Sequence, residues 1–356
     1  MKISQLVPAM HYGDAIGDSA RRMKLLFLQR GYEAEIYSLT IDESLKDEIK
    51  PFAQFHQEYH SDDLVLLHFA LPSPMTNHFK ELPGKKLIIY HNITPPEFFA
   101  PYSSELANIA AVGREELASL AQVADLALAD SEYNRQEMEL LNFPRTAVLP
   151  LFVDLKRYNQ PSDPLVLQMF GDDSLNILSV GRVVPNKKIE DLLKITSYIR
   201  HYLTPLVRLL LVGKYNLLPN YYHLLMELSA DLGLTHEQVI FTGHISPEEL
   251  VTYYKVADIY LSMSEHEGFC LPLVESMHFK VPIIAYNSTA IPYTLGGAGI
   301  LAKVKNIPEI AELCYHLANN RQLRQRIIST QQRRLRDFET SKLERLFIRY
   351  ISEVLG

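Results

Sequence analysis

The chain has 356 residues, of which 47 % are hydrophobic and 22 % are charged, a composition typical of globular proteins that excludes disordered and fibrous classes. Its length predicts two domains. The net charge of −7 disfavours binding to the phosphate backbone of nucleic acid. Its two cysteines are too few for a disulfide framework, which fits a reducing cytoplasm.

The N-terminal residues do not resemble an export signal, because Pro8 follows the first apolar residues too early for a signal-peptide apolar region. No apolar run approaches the ~20 residues that cross a bilayer. We therefore expect a cytoplasmic protein, with peripheral contact at the inner membrane face as an open alternative.

Apolar segments of strand length alternate with amphipathic helical segments along the chain. This pattern predicts parallel sheets that are buried on both faces. In the first half, the predicted strands are Ile3–Val7, Ala34–Leu39, Leu64–His68, Lys86–Tyr90, Leu126–Ala129 and Ala147–Leu149. In the second half, they are Ile177–Val180, Arg208–Val212, Val239–Phe241, Ile259–Leu261, Pro282–Ala285 and Ile300–Ala302.

A polar, proline-containing segment at residues 156–164 is the best candidate for a linker. It predicts one doubly wound domain over residues 1–160 and a second over 165–337. Residues 1–160 carry the whole net charge of −7, and the remainder is neutral. Because doubly wound sheets bind ligands at the carboxyl ends of their strands, we expect the chemistry at strand-to-loop junctions.

The most informative segment runs from Glu265 to Glu275 and follows a predicted strand. Pro272 suits the first turn of a helix, whose free N–H groups would form an anion site. Two glutamates eight residues apart mean little in a chain with 42 acidic residues, but Glu267 and Glu275 flank this helix start. The free backbone N–H groups at this helix start belong to Phe269, Cys270 and Leu271.

Two further loops follow predicted strands. After Gly181, the cations Arg182 and Lys187 suit a diphosphate that gains charge as it leaves, although a solvated basic loop has the same composition. After the first strand, Gly13 lets the backbone approach a ligand closely, and Asp14 beside it suits hydroxyls better than phosphate. This loop lacks the G-x-G-x-x-G fingerprint, so a nicotinamide cofactor is weakly supported.

Together these segments resemble the retaining family 4 glycosyltransferases, which have the GT-B fold. The motifs that carry the resemblance are Glu267-Gly268-Phe269-x-x-Pro272-x-x-Glu275 and Gly181-Arg182 followed by Lys187. The resemblance implies an α/β protein with two facing Rossmann-like doubly wound domains and a cleft between them. It also implies that a C-terminal helix at about 338–356 packs back on the first domain.

The resemblance assigns roles to individual positions. It implies that Glu275 binds the ribose hydroxyls of a sugar nucleotide, and that Arg182 and Lys187 hold its diphosphate. Glu267 should hold the transferred sugar, together with the backbone of Gly268, Phe269 and Cys270 and the adjoining Leu271. The other implied donor contacts are Gly243 and Ile245 beside the nucleobase, Gly13 over the phosphates, and His91 near the donor sugar. Asp14, in the same loop as Gly13, is a further donor-binding candidate.

Two histidines end neighbouring predicted strands. His91 corresponds to the family histidine near the reaction centre, so the expected catalytic residues are Glu267, Arg182, Lys187 and His91. A histidine in this place is also typical of a structural hydrogen bond, and for His68 that interpretation is favoured.

Three features depart from the family pattern or bear on cofactors. Lys188 stands where the family commonly has glycine, and its charge would either reinforce the diphosphate site or point to solvent. Tyr293 stands where many members have an acid. No Asp-x-Asp motif occurs, so we expect no metal and no other cofactor, with Arg182, Lys187 and the helix N-terminus doing what a divalent ion does elsewhere.

The resulting hypothesis is a retaining glycosyltransferase of cell-surface polysaccharide biosynthesis. It would move a hexose, with UDP-glucose or a related UDP-hexose favoured, to a saccharide or lipid-linked acceptor. The alternatives are a non-catalytic nucleotide-sugar-binding accessory protein and, less favoured, an NAD-dependent oxidoreductase. Arginines between Arg321 and Arg336 indicate either a solvated helix face or a contact with anionic lipid head groups.

Overall fold

The computed structural model describes residues 1–356, and the chain divides into two compact units. The first comprises Met1–Ala100, Ser104–Asp154 and Phe338–Gly356, and the second comprises Pro101–Ser103 and Leu155–Asp337. None of the helices combines the length and the apolar character that crossing a membrane requires.

The first unit is built on a seven-stranded parallel sheet in the order β3-β2-β1-β4-β5-β6-β7. Its strands are β1 (Lys2–Met10), β2 (Glu33–Ile41), β3 (Lys50–Pro51), β4 (Leu64–Phe69), β5 (Lys85–Tyr90), β6 (Leu126–Ala129) and β7 (Thr146–Val148). Its first five helices are α1 (Ala15–Gln29), α2 (Phe55–Glu58), α3 (Pro74–Glu81), α4 (Ser104–Ser119) and α5 (Glu132–Leu140).

The second unit is built on a six-stranded parallel sheet in the order β10-β9-β8-β11-β12-β13. Its strands are β8 (Leu175–Val180), β9 (Val207–Val212), β10 (Val239–Gly243), β11 (Ile259–Ser262), β12 (Ile283–Tyr286) and β13 (Ile300–Ala302). Its helices are α6 (Pro164–Phe170), α7 (Ile189–Tyr202), α8 (Pro219–Asp231), α9 (Pro247–Val256), α10 (Leu271–Phe279), α11 (Ile291–Leu295), α12 (Ile307–Asn319) and α13 (Arg321–Leu335).

Both sheets have the strand order of a Rossmann fold, in which the chain runs outward from a central strand and then reverses to the other side. The reversal lies between β1 and β4 in the first unit and between β8 and β11 in the second. The α/β class with two Rossmann-like domains, predicted from the alternation of strands and helices, is confirmed. Ligands of such sheets bind beside the reversal, at the carboxyl ends of the strands.

Alternation within the strands explains why both faces of the first sheet are covered. Val65 and Leu67 of β4 pack in one core cluster with α3 and α4, whereas Leu64 and Leu66 point to the opposite face. That opposite face is covered by α1 and by the C-terminal helix α14 (Thr340–Leu355). The residues of α14 that pack there recur at helical spacing: Leu343, Phe347, Ile351 and Val354.

Two details differ from the sequence-based prediction. The edge strand β3 was not predicted, because it has only two residues, one of which is a proline. The first unit ends at Asp154, earlier than the predicted boundary at 160. Although the segment that follows is polar in composition, Tyr158 is buried in the second unit, where its ring centroid lies 5.5 Å from that of Phe279.

Candidate functional site

The loops after β8 and β11 meet at the strand reversal of the second unit and line a small recess. Gly181, Arg182 and Lys187 come from the first loop. Ser264 and Glu267 come from the second. The structure thus brings together the predicted diphosphate cations and one of the two predicted glutamates.

Three glycines shape the strand ends beside this recess. Gly181 and Gly213 have φ values of +143° and +140°, and a Cβ atom on Gly213 would lie 2.2 Å from the carbonyl oxygen of Gly181. Gly213 also forms a bridge with Gly243, which has φ +75°. Close backbone contact between the ends of β8 and β9 therefore requires glycine at position 213.

Lys187 and Glu267 form an ion pair across the recess. The lysine Nζ lies 2.6 Å from the glutamate Oε1, and the two side chains are 22 % and 8 % exposed. Two hydrogen bonds hold the main chain of Glu267 in place. The N–H of Glu267 donates to Thr289 Oγ1 at 2.8 Å, and the Glu267 carbonyl accepts from the N–H of Ala290 at 3.3 Å. The pair is a preformed combination of a cation and a hydrogen-bond acceptor.

Arg182 differs from Lys187 in having no partner. Its side chain is exposed, and it lines the recess without forming an ion pair or a hydrogen bond. A guanidinium in this state is free to bind the oxygens of a phosphate in a bidentate manner. The recess therefore offers one free cation and one that Glu267 neutralises.

The charge of Lys188 is directed away from the recess. Its Nζ lies 3.4 Å from Glu265 Oε2, and Lys305 contacts the same carboxylate at 2.9 Å. Partial burial opposes ionisation of Glu265, but these two cations outweigh it and lower the pKa of its carboxyl. The backbone of Lys188 has φ +53°, a left-handed conformation that glycine adopts more readily. Lys188 thus belongs to a charge network beside the site.

The start of α10 supplies the backbone of the predicted sugar and phosphate contacts. Cys270 precedes the helix with φ +65°, and Leu271 is its first residue. The carbonyl of Phe269 accepts a hydrogen bond from Thr294 Oγ1 at 2.5 Å. Burial raises the pKa of the Cys270 thiol well above its usual value, so this side chain packs as an apolar group. The groups at this helix start that remain available to a ligand are backbone groups, including those of Gly268, and the positive end of the helix.

Glu275 lies one turn into α10 and is 4 % exposed. The hydroxyl of Tyr158 donates to its Oε1, and the hydroxyl of Tyr254 donates to its Oε2 at 2.6 Å. Burial and the neighbouring carboxylate raise the pKa of Tyr254 well above its usual value, which keeps it a donor. Glu275 does not line the recess in this conformation, and nothing in the sequence pointed to its two tyrosine partners.

The remaining donor-binding candidates of the second unit lie at the end of β10. Gly243 is the last residue of that strand, and the bridge to Gly213 places it near Gly181. Ile245 is partly buried and packs against the core of the second unit. Neither residue lines the recess, and Gly243 is connected to it only through the backbone contacts of Gly213 and Gly181.

In the first unit, the loop after β1 holds Gly13 and Asp14. Gly13 has φ +78° and open space where a side chain would lie. The carboxylate of Asp14 accepts from the N–H of Gly17 at 3.0 Å and caps α1. Asp14 therefore has a structural role in the positioning of this loop, whatever ligand the loop contacts.

His91 follows β5 and lies in a buried chain of hydrogen bonds. Its Nδ1 is 2.8 Å from Asp130 Oδ2, and its Nε2 is 3.0 Å from Nδ1 of His68. His68 Nε2 is in turn 3.0 Å from Gln5 Oε1. Neither Gln5 nor Asp130 was predicted to contact these histidines, although a glutamine inside an apolar strand and an acid at the end of β6 are detectable signals.

Comparison with known proteins agrees with this architecture. The chain is similar to the structure of Anabaena Alr3699/HepE in complex with UDP-glucose, with a TM-score of 0.75 and 18 % identity over 99 % of this chain and 100 % of that one. This likeness confirms the two-domain GT-B fold. Residues 169–334 match the family model described as Glycosyl transferases group 1. The second unit therefore contains a domain of this family.

Two relatives by sequence are mannosyltransferases of Escherichia coli. The serotype-specific mannosyltransferase WbdA is 28 % identical over 134 residues, which are 38 % of this chain and 16 % of that protein. O-antigen chain mannosyltransferase B is 26 % identical over 194 residues, 53 % of this chain and 50 % of that protein. The matched part thus spans half or less of the length of these relatives.

Proposed function

We propose that this chain is a retaining glycosyltransferase that moves a hexosyl unit from a nucleotide sugar to a saccharide or lipid-linked acceptor. One observation carries the proposal. At the strand reversal of a group 1 glycosyltransferase domain, the unpaired Arg182 and the Lys187–Glu267 ion pair line one recess. Such a recess suits a diphosphate joined to a sugar, because it offers cations for the phosphates and a carboxylate for hydroxyls.

In the proposed reaction, Lys187 exchanges Glu267 for a diphosphate oxygen, and Glu267 becomes free to accept a hydrogen bond from a sugar hydroxyl. The bond between the anomeric carbon and the diphosphate oxygen breaks, and the acceptor oxygen bonds to that carbon on the same face. The acceptor proton passes to the departing diphosphate. Arg182, Lys187 and the N-terminus of α10 stabilise the charge that develops on the leaving group.

We propose that these cations make a divalent metal unnecessary. The support is the absence of an Asp-x-Asp motif and the position of two cations at the same recess. Transfer that continues at an undiminished rate in excess EDTA is the expected result. Loss of transfer in EDTA and its recovery with Mg²⁺ or Mn²⁺ would contradict this part of the proposal.

For the sugar, the relatives by sequence support mannose, because both are named mannosyltransferases. The sequence-based preference for UDP-glucose is a second candidate, supported by the fold neighbour that was solved with UDP-glucose. We place mannose first, because a structural likeness at 18 % identity supports a shared fold and not a shared sugar. The same relatives support a cell-surface polysaccharide as the product class.

Thermal shifts measured with a nucleotide-sugar panel test the proposal. The panel contains GDP-mannose, UDP-glucose, UDP-galactose, UDP-GlcNAc and NAD. We expect one nucleotide sugar to stabilise the protein and its nucleoside diphosphate to be released when acceptor is added. Stabilisation by NAD alone would favour an oxidoreductase, and binding of a nucleotide sugar without turnover would favour an accessory protein.

A further inference from the structure

In the buried hydrogen-bond chain Gln5–His68–His91–Asp130, the contacts of Gln5 determine which atoms donate and which accept. Gln5 Nε2 donates to the backbone carbonyl of Ala20 at 3.0 Å. A carbonyl can only accept, so this contact assigns the nitrogen and the oxygen of the glutamine amide. The oxygen that faces His68 Nε2 at 3.0 Å cannot donate. His68 Nε2 therefore carries a hydrogen.

The chain then requires one proton more than two neutral histidines supply. Three hydrogen bonds join Gln5, His68, His91 and Asp130 in sequence, and each needs one hydrogen. A neutral imidazole carries one N–H, so two of them supply two hydrogens. Because His68 uses its hydrogen toward Gln5, His91 must donate from Nε2 to His68, and the contact with Asp130 needs a further proton.

We propose that the extra proton makes His91 a buried imidazolium, paired with the carboxylate of Asp130, and that Gln5 and His68 are the positioning residues that keep it there. The His91 Nδ1 and Asp130 Oδ2 atoms are 2.8 Å apart, so opposite charges in this pair are in direct contact. His68 has no carboxylate partner, which makes it the less favourable place for the charge.

The surroundings support this assignment. The His91 and Asp130 side chains are 1 % and 2 % exposed, and an isolated charge would be costly there. Burial lowers the pKa of His68 well below its usual value, which fits a neutral His68. Burial raises the pKa of the Asp130 carboxyl above its ordinary value despite the neighbouring His91, so this carboxyl is the competing place for the extra proton. Asp130 and His68 are the titratable groups in contact with His91 from the adjoining strand ends.

The assignment limits what His91 can do. With both ring nitrogens donating, it is not a proton acceptor near neutral pH. For the transfer proposed above, on which this consequence rests, His91 would be a fixed positive charge at the carboxyl end of β5 and not a general base. The protonation state itself depends only on the first unit and needs no assumption about the reaction.

Nitrogen NMR of the full-length protein tests the proposal without any substrate. The chain is labelled with ¹⁵N-histidine, and the His91→Gln variant assigns the His91 resonances among those of the 13 histidines. At about pH 8, we expect both His91 nitrogens at protonated shifts and His68 with only Nε2 protonated. An unprotonated His91 nitrogen in the wild-type spectrum would overturn the proposal, including the case in which Asp130 holds the proton.

A variant pair then tests the positioning role. His68→Leu removes the acceptor of His91 Nε2–H, so His91 should lose its second proton and show one unprotonated nitrogen. His60→Gln changes an exposed histidine and should leave the His91 signals unchanged. If His68→Leu leaves both His91 nitrogens protonated, His68 is not a positioning residue. If that variant does not fold, Gln5→Met serves instead, because it removes the acceptor that fixes the His68 tautomer.

Discussion

Lys187 and Glu267 lie on different loops, 80 residues apart in the chain, and their charged atoms are 2.6 Å apart. Because the Glu267 side chain is 8 % exposed, removing the lysine alone leaves a nearly buried carboxylate without its counter-ion. A diphosphate that binds Lys187 must replace this contact. The ion pair therefore links the stability of the empty protein to the occupancy of the recess.

Lys187→Met should lower turnover by about 100- to 1000-fold, the size of effect seen when one group that stabilises transition-state charge is removed. It should also lower the melting temperature, since Glu267 loses its partner. Lys194→Met, at an exposed lysine of α7, is the matched control for both quantities. Turnover within a few-fold of wild type would show that Lys187 does not act on the leaving group.

Glu267→Gln should separate sugar handling from phosphate binding. The amide retains one oxygen acceptor but not the charge, so Lys187 becomes free for the diphosphate. We expect affinity for the nucleoside diphosphate to be unchanged or higher, and transfer of the sugar to fall by at least tenfold. Calorimetric titration and a transfer assay measure the two effects. Equal losses in both would contradict separate roles for the two residues.

Tyr158→Phe tests whether Glu275 binds ribose. The variant retains ring packing but leaves Glu275 Oε1 without the hydroxyl that donates to it. Stability should fall by about 1.5–3 kcal/mol, as for other hydrogen bonds to charged groups. A ribose hydroxyl no longer has to displace a tyrosine, so affinity for the nucleoside diphosphate should rise.

Inorganic pyrophosphate, which lacks ribose, is the control ligand for this variant. Its affinity should be the same for Tyr158→Phe and wild type. If the nucleoside diphosphate binds the variant no more tightly than wild type, or if the affinities of both ligands change by the same factor, Glu275 does not exchange its contact with Tyr158 for one with ribose. Tyr254→Phe provides a parallel measurement at the other carboxylate oxygen.

Gly213→Ala should destabilise the second unit severely. The added Cβ would lie 2.2 Å from the Gly181 carbonyl oxygen, on a backbone with φ +140°, so we expect a loss of at least about 2 kcal/mol. Gly297→Ala is the control, because its φ is +83° with open space around it, and it should cost about 1 kcal/mol. Equal losses in urea unfolding would contradict the close contact.

Acid stability should depend on Glu58, at the edge of the first sheet. Hydrogen bonds lower the pKa of the Glu58 carboxyl from 4.5 to about 2. The bond from Lys2 has the largest effect, followed by those from Lys50 and Tyr37. At pH values between the lowered pKa and the ordinary pKa of this carboxyl, the native state therefore binds fewer protons than the unfolded chain. The stabilisation is complete above the ordinary pKa and is lost as pH falls toward 2. The stability difference between wild type and Glu58→Gln should shrink between about pH 5 and pH 3.

The exposed Glu43, which is 87 % exposed in its pair with Lys46, provides the control for that measurement. Glu43→Gln should change stability little at any pH, because exposed ion pairs contribute little. A difference for Glu58→Gln that stays constant over the same range would contradict the lowered pKa.

The sequence was sufficient to predict every strand except the two-residue β3, because segments such as Leu64–Phe69 are apolar throughout and buried on both faces. The family resemblance implied that Arg182, Lys187 and Glu267 hold one ligand, and these residues line one recess because β8 and β11 are neighbours in the sheet. The sequence could not predict that Tyr158 donates to Glu275. These residues are 117 positions apart, and the composition around Tyr158 is that of a linker. Which atoms donate in the hydrogen-bond chain around His91 depends on the contact between Gln5 and the Ala20 carbonyl, and no residue pattern encodes this contact.

We propose above that the recess beside Gly181 binds the diphosphate of a nucleotide sugar. Calorimetric titration of the Arg182→Ala variant with the nucleoside diphosphate of the donor identified in the panel tests it most directly, with Arg326→Ala as the control at an exposed arginine of α13. Arg182→Ala should weaken binding by at least tenfold, and Arg326→Ala should bind like wild type. Equal affinity of wild type and Arg182→Ala would show that the diphosphate does not bind Arg182 in this recess.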